Sequence, residues 1–233
     1  MLWPPAGDRH GPLSPMLLAL TIVTGLVDAA SYLRLGHVFV ANMTGNVVFL
    51  GFALAGARGL STSASLVSLG TFLIGALGGG WLGGRHAAHR GRVLRAAGYA
   101  QAPLMAAALL VALFTSVPAD HGVRLTIIAL LALAMGIQNA AAQRLSVPDL
   151  TTSVLTKTLT GLASEAAAVG GSGSRLGRRA LAIAAMLAGA VIGGLLVLNV
   201  SIASAIAVAL GLVLAVGLAA HLVSGSDAEW TRP

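Results

Sequence analysis

The sequence lacks cysteine and has few charged or aromatic residues. Charged side chains make up 9% of the 233 residues and aromatic side chains 4%. The absence of cysteine excludes disulfide bonds, thiolate catalysis and cysteine-ligated metals. Hydrophobic residues account for 57% of the chain and the mean hydropathy is +0.89, whereas a soluble domain is roughly 45 to 50% apolar. This composition predicts a multi-span membrane protein in contact with the lipid bilayer.

The net charge of +7 does not indicate a nucleic-acid partner, because the arginines lie in short connections between apolar runs. Motifs of metalloproteases, hydrolases, phosphate-binding loops and dinucleotide-binding folds do not occur in a suitable context. His86 and His89 lie among arginines, which favours a solvated basic loop over a metal site. We therefore expect no nucleic-acid binding, no metal, no cofactor and no enzymatic activity.

Six apolar runs are long enough to cross a bilayer, which takes about 20 residues per helix. These runs are 15–35, 66–84, 96–117, 124–143, 180–199 and 201–223. Two shorter runs, 45–57 and 156–169, follow polar stretches and correspond to about 20 Å of helix each. The predicted fold is an all-α polytopic membrane protein, a single transmembrane domain over residues 1–233. It has six full transmembrane helices and two short broken or re-entrant half-helices, eight helical segments in all.

Small residues recur at four-residue spacing in two of the apolar runs. They are Gly75, Gly79 and Gly83 in one run and Ala185, Gly189 and Gly193 in another. Small residues at this spacing let helix backbones approach closely, so both runs are predicted to pack tightly in a bundle.

A polar phrase occurs twice in the chain. The stretch around Asp28 reappears 111 residues later around Asn139, and one extra residue brings 39–46 onto 151–158. Duplication explains this pattern. The two predicted repeats span about 15–117 and 124–223. Internally repeated membrane proteins often bind their solute where interrupted helices of the two repeats meet.

The loop cations favour the re-entrant layout. If both short segments crossed the bilayer, the cations would divide six against seven and give no orientation signal. If both re-enter, ten arginines share the side of the N-terminus: Arg9, Arg85, Arg90, Arg92, Arg95, Arg144, Arg175, Arg178, Arg179 and Arg232. Short-loop cations stay cytoplasmic, so both termini are predicted to be cytoplasmic. The Ala, Gly and Arg bias is typical of high-GC bacteria and points to a bacterial inner membrane.

Asp28 lies near the middle of a predicted span, where an ionised carboxylate costs about 2.5 to 3.5 kcal/mol. Thr21, Thr24 and Ser31 share its helix face, so this polar stripe is expected to face the protein interior. Two interpretations stay open, a carboxylate that takes up a proton or binds solute and a permanently paired structural ion. Lys157 is the candidate partner, unless its long stem carries the ammonium group to the interface.

The two polar segments have the composition of helix N-caps, because Thr and Asn side chains satisfy the free amides of a first turn. Gly45 is expected to allow an unusual backbone angle there. Opposed helix N-termini attract anions and solute oxygens. The candidate site residues are Asn42, Thr44 and Asn46 in the first segment and Thr156 and Lys157 in the second. The amides Gln138, Asn139 and Gln143 are further candidates, although buried amides also tie helices together.

These phrases resemble a known family. Residues 25–32, 38–46 and 136–140 resemble the YoaK-like bacterial membrane proteins, a family without an established substrate. The resemblance covers nearly the whole chain and implies a multi-span inner-membrane architecture. The second copy departs from the first at Lys157 and Thr158, where a Gly-Asn pair would be expected.

The hypothesis from sequence is a transporter or channel for a small polar or anionic solute, with Asp28 as a candidate proton-coupling group. The alternative is a non-transporting membrane scaffold or accessory subunit in which the same residues tie the bundle together. Either role is compatible with a homo-oligomer.

Overall fold

The computed structural model describes residues 11–115, 120–145, 156, 159–160, 176–225 and 229–231. Over these residues the chain forms helices and no strand, so the predicted all-α class is confirmed. The α-helices are α1 (Leu13–Arg34), α2 (Met43–Leu54), α3 (Thr62–Arg85), α4 (Arg90–Phe114), α5 (His121–Leu145), α6 (Leu176–Asn199) and α7 (Ile202–Val223). A short 3-10 helix, Glu229–Thr231, follows α7.

Six of the described helices, all except α2, are long and apolar enough to span a membrane. They contain 22 to 25 residues each. At 1.5 Å per residue this is about 33 to 38 Å, which exceeds the roughly 30 Å of a bilayer core. The six helices coincide with the six apolar runs, so the predicted spans are confirmed as helices.

Five of the spans begin two to six residues before their apolar runs, as at α3 and α4, where polar side chains cap the first turn. Ser61 Oγ accepts a hydrogen bond from the Ala64 amide at 3.2 Å, and α3 begins one residue after Ser61. His89 Nδ1 accepts from the Arg92 amide at 3.3 Å, and α4 begins one residue after His89. Such caps satisfy first-turn amides that have no partner within the helix.

Helix α2 is the first of the two predicted short segments. It follows residues 35–42, which are not helical, and it contains 12 residues. Its end is set by Gly56, whose φ of +90° is readily adopted by glycine. The amides of Gly56 and Ala57 then donate to carbonyls of the last turn at 3.1 and 3.0 Å, as in a Schellman motif.

The second predicted short segment, 156–169, lies largely outside the described residues. Thr156 and residues 159–160 are described, and all three are helical. The count of eight helical segments depends on this region and stays a prediction.

The bundle is organised around two close helix pairs, α1 with α6 and α5 with α3. A Cβ atom built on Gly25 in α1 would collide with the α6 backbone at Met186, and one built on Gly136 in α5 would collide with the α3 backbone at Phe72. Glycine therefore lets the backbones of both pairs touch. Helix α4 packs against α5 and α7, and α7 also packs against α1.

The glycines predicted to lie at helix contacts face these same partners. Four of them have a backbone group of α1 or α5 where a Cβ would lie, whereas Gly83 faces the side chain of Arg144 in α5. The contacts are Gly75 with Leu133, Gly79 with Ile137, Gly189 with Ile22 and Gly193 with Leu26. Close packing of both runs is thus observed, with α3 on α5 and α6 on α1.

Candidate functional site

Asp28 anchors the non-helical segment that precedes α2. Its Oδ1 accepts hydrogen bonds from the amides of Val40 and Ala41, both at 2.9 Å. Its Oδ2 accepts a hydrogen bond from Asn42 Nδ2. The carboxylate is 3% exposed, so three donors replace the water that it loses on burial. Two backbone amides and one side-chain amide of the segment before α2 thus partner this buried charge.

The rest of the polar stripe on α1 is buried as predicted but bonds to its own helix. Thr21 and Thr24 donate to carbonyls four residues earlier, at 2.9 and 3.1 Å. Ser31 donates to the Asp28 carbonyl at 3.2 Å. These hydroxyl groups donate within their own helix, so Asp28 forms the side-chain link from this stripe to residues 40–42.

Asn46 holds the same segment from the other side. Its Oδ1 accepts from the Phe39 amide at 2.8 Å, and its Nδ2 donates to the Phe39 carbonyl at 2.6 Å. Ser68 in α3 also donates to that carbonyl at 2.7 Å and accepts from Asn46 at 3.1 Å. Asn46 is fully buried. The non-helical segment is therefore fixed between α1 and α3 by side-chain hydrogen bonds to its backbone.

Gly45 serves a purpose other than the predicted one. Its φ is not positive, but a Cβ on it would lie 2.7 Å from the ring of Phe39. That ring stacks on Tyr32 and Phe49, with centroid distances of 5.2 and 5.6 Å. Asn42 also differs from expectation, because its side chain bonds Asp28 and makes no N-cap hydrogen bond.

A cavity of about 760 Å³ lies where α2 begins, between α3 and α5. Its described lining comes from residues 41–44, from Phe72, Ala76 and Gly80 in α3, and from Asn139, Ala140, Gln143 and Arg144 in α5. The wall thus combines amide and hydroxyl groups with apolar side chains and one arginine. Gln143 and Arg144 are exposed, so the cavity reaches the surface near the C-terminal end of α5.

Four of the candidate residues from sequence meet at this cavity. Its lining includes Asn42, Thr44, Asn139 and Gln143, and Asn139 Nδ2 also donates to the Met135 carbonyl at 2.9 Å. Neither Asp28 nor Asn46 is among the described lining residues. Asp28 accepts a hydrogen bond from Asn42, and Asn46 hydrogen-bonds Phe39 and Ser68 in α3. The cavity therefore joins residues from both copies of the polar phrase.

Gln138 points elsewhere, into the centre of the bundle. Its Nε2 donates to Thr24 Oγ1 at 3.1 Å and to the Leu20 carbonyl at 3.2 Å. Its Oε1 accepts from Gln101 Nε2 at 2.8 Å. These contacts join α1, α4 and α5, which is the interhelical role that the sequence left open for this amide.

Thr156 and Lys157 are the site residues predicted in the second polar segment. Thr156 is helical and exposed. Lys157 lies outside the described residues, so its pairing with Asp28 stays a prediction.

Sequence reasoning missed Arg144 as a cavity residue and Gln101 and Ser68 as bonding partners. Arg144 was assigned to a cytoplasmic connection, although it follows Asn139 by five residues and Gln143 by one. That proximity to the repeated phrase is the signal that would have drawn attention to it. Gln101 and Ser68 have no comparable signal, since neither lies near the repeated phrases.

Six described helices long and apolar enough to cross a membrane, with a cavity between α3 and α5 at the start of α2, define a multi-pass helical membrane protein. Its family follows from sequence comparison: a profile described as "Protein of unknown function (DUF1275)" matches residues 16–219, and the chain belongs to this family. Together with the curated relative described next, this match confirms the resemblance to YoaK-like membrane proteins.

A curated relative is similar over much of its length. The UPF0700 transmembrane protein YoaK of Bacillus subtilis (strain 168) is 34% identical over 149 residues, 63% of this chain and 64% of that protein. The similarity therefore spans just under two thirds of the relative. No solved structure matches the chain.

Proposed function

We propose that the protein moves a small polar or anionic solute across a bacterial inner membrane, as a transporter or channel without enzymatic activity. The observation that carries this proposal is the cavity beside the non-helical segment 35–42. Its volume of about 760 Å³ suits a small molecule. Non-helical backbone inside a membrane bundle is tolerated where protein shields it or where it lines a wet cavity. Residues 41 and 42 line this cavity, which reaches the surface at Gln143 and Arg144.

The contacts of α2 support a re-entrant course. Asp28 lies six residues before the end of α1, about 9 Å along the helix, and it binds the amides just before α2 begins. Asn46, in the first turn of α2, contacts Ser68, six residues after the start of α3. These contacts favour a segment that enters from the face where α1 ends and α3 begins, and returns to that face.

The paired glycine contacts support two internal repeats in which helices of one repeat pack against helices of the other. The α1 residues in these contacts, Ile22 and Leu26, lie 111 residues before their α5 counterparts, Leu133 and Ile137. This is the offset that aligns the two polar phrases. In the proposed arrangement the first span of each repeat packs against the second span of the other. Transporters built from inverted repeats bind solute at such an interface.

The cations support an orientation. Arg85 and Arg144 lie at the ends of α3 and α5, and Arg90, Arg92 and Arg95 lie at the start of α4. Arginines of short connections are retained on the cytoplasmic side. We therefore propose that the cavity communicates with the cytoplasm in the described conformation and that both termini are cytoplasmic.

Asp28 gives a route by which protons would couple to transport. The ionised carboxylate accepts charge-assisted hydrogen bonds from residues 40–42, and protonation would weaken these bonds. The segment before α2 forms part of the cavity wall, so its release would change the cavity. Proton uptake by Asp28 would thereby change solute access, because it would release the backbone of residues 40–42.

Gly80 allows the cavity to be filled without disturbing the bundle. A Cβ on Gly80 meets no atom within 4 Å, and the same holds for Gly78, which does not line the cavity. Gly80→Leu should therefore lower flux at least tenfold, whereas Gly78→Leu should leave it unchanged. The measurement is uptake of labelled acetate, lactate, phosphate and uracil into proteoliposomes. The proposal fails if none of these solutes crosses faster than in empty liposomes, or if both variants behave alike.

The coupling role of Asp28 is tested separately. Asp28→Asn keeps one acceptor oxygen but removes the charge, so uptake should lose its response to an imposed pH gradient while the protein stays folded. An unchanged pH response would remove Asp28 from coupling. Loss of thermal stability without any transport by the wild-type protein would favour the alternative role, a scaffold or accessory subunit.

A further inference from the structure

The described wall of the cavity contains one charged side chain, that of Arg144. Arg144 lies in the last turn of α5, and its stem crosses α3 at Gly83. A Cβ on Gly83 would lie 2.6 Å from Arg144 Cδ, and one on Gly84 would lie 3.5 Å from its Nη2. Because glycine at these positions leaves room for the guanidinium stem, Arg144 can lie along α3 and form part of the cavity wall.

Arg144 carries the sole formal charge among the described lining residues. The nearby carboxylate of Asp28 does not line the cavity, and its oxygens already accept three hydrogen bonds from residues 40–42. The remaining polar lining, Asn42, Thr44, Asn139 and Gln143, is uncharged. The described part of the wall thus offers a solute one guanidinium group and several neutral hydrogen-bonding groups.

The apolar part of the wall favours an organic solute over an inorganic ion. Met43, Phe72 and Ala76 contribute apolar surface beside the polar groups. A guanidinium group offers a planar fork of N–H donors that matches a carboxylate in a bidentate pair. The start of α2 also lines the cavity and adds a dipole that favours negative charge.

We propose that Arg144 makes the cavity selective for small organic anions carrying a carboxylate, with Arg144 as the specificity-determining residue. The inference rests on the proposed function, because it names the class of solute that the same cavity binds. Asn42, Thr44 and Asn139 then hydrogen-bond the polar substituents of that solute, and Phe72 packs against its apolar part.

A membrane phosphate is the rival ligand for this arginine. Arg144 is exposed at the end of a spanning helix, where arginines also bind lipid headgroups. Its inclusion in the cavity wall with Asn139 and Asn42 favours a solute, since a headgroup bound from the lipid face would not need those amides.

The test is calorimetric binding to purified full-length protein in neutral detergent. The probes are acetate, lactate and benzoate, each compared with its neutral amide. We expect at least one carboxylate to bind at least tenfold more tightly than its amide. Arg144→Gln should weaken that binding by about tenfold to a hundredfold, the range for a lost charged hydrogen bond. Arg144→Lys keeps the charge without the fork and should weaken it less.

Arg85 provides the matched control, because it lies at the end of α3 and its guanidinium stacks 4.0 Å above the Trp81 ring, outside the described cavity lining. Arg85→Gln should leave carboxylate binding unchanged. If Arg144→Gln does not fold, two measurements still test the proposal. They are the affinity of the wild-type protein for each acid compared with its amide, and carboxylate binding by Arg144→Lys.

Three results would overturn the proposal. They are equal affinity for acids and amides, equal losses in Arg85→Gln and Arg144→Gln, and stabilisation by phosphatidylglycerol nanodiscs without carboxylate binding. The last would assign Arg144 to lipid. The proposed function fails separately, when Gly80→Leu and wild type show the same uptake of every solute. Blocked uptake in Gly80→Leu with no preference for acids would leave transport intact and remove the role of Arg144.

Discussion

The two close helix pairs of this bundle have the same packing but different polar chemistry. In both pairs, glycines of one helix contact the backbone of the other at corresponding positions. On α1, however, Asp28 fixes a backbone segment through three hydrogen bonds, whereas at the aligned position of α5 Asn139 lines the cavity. The glycine contacts are thus alike in the two pairs, although the polar residues at the aligned positions have different partners. Matched substitutions in the two pairs can separate them.

The largest effect is expected from the shared packing. Gly75→Val and Gly189→Val each place a Cβ against a backbone carbonyl, of Leu133 and Ile22, and a carbonyl cannot move aside as a side chain can. Each variant should lose about 3 kcal/mol of unfolding free energy, the upper end for overpacking. The measurement is denaturant unfolding of the purified protein in detergent.

Gly78→Val is the control for these variants, because a Cβ there meets no atom within 4 Å. It should change stability by less than about 0.5 kcal/mol, as is usual for surface substitutions. The equivalence of the two pairs is wrong if the losses at Gly75 and Gly189 differ by more than the cost of the control.

A smaller and unequal effect is expected from the polar residues. Asp28→Ala leaves the buried amides of Val40 and Ala41 without their acceptor, which should cost about 2 kcal/mol or more. Asn139→Ala removes a bond to the Met135 carbonyl and should cost about 1 kcal/mol. Thermal unfolding of both variants, with Asp28→Asn as the conservative control, measures the difference. Equal losses at the two positions would mean that Asn139 fixes backbone as Asp28 does.

The spans and their contacts could be predicted because they depend on local patterns. Apolar runs of about 20 residues identify membrane helices, and the spacing of Gly75 and Gly79 marks a close interface before its partner is known. Helix starts were less accurate, since the caps at Ser61 and His89 lie outside the apolar windows.

The polar contacts could be predicted only in part, because their partners are often backbone groups. The sequence singled out Asp28 through its cost in a membrane, but backbone amides such as that of Val40 have no signature of their own. Adjacent residues on a helix also differ by about 100° in direction, so Gln138 and Asn139 face different surroundings. Which one lines the cavity depends on the packing of α5 against α3 and α1.

The smallest effect tests a second polar contact that has no counterpart in the other pair. Gln138 accepts from Gln101 Nε2 at 2.8 Å and donates to Thr24 Oγ1 at 3.1 Å, whereas the aligned residue on α1 is the buried, apolar Val27. Gln138→Leu should cost about 1 kcal/mol, because it leaves the buried amide of Gln101 without this acceptor.

The double variant Gln101→Leu/Gln138→Leu should recover most of that loss, since replacing both partners by apolar groups leaves neither amide stranded. A double-mutant cycle of unfolding free energies measures the coupling, expected at about 0.5 to 1 kcal/mol. Additive losses would show that the two glutamines act independently, and Gln138 would then need a further role beyond linking α4 to α5. Recovery of stability in the double variant would mean that apolar residues can replace Gln138 and Gln101, as apolar Val27 occupies the aligned position on α1. The difference between the two pairs would then be concentrated at Asp28 and the cavity.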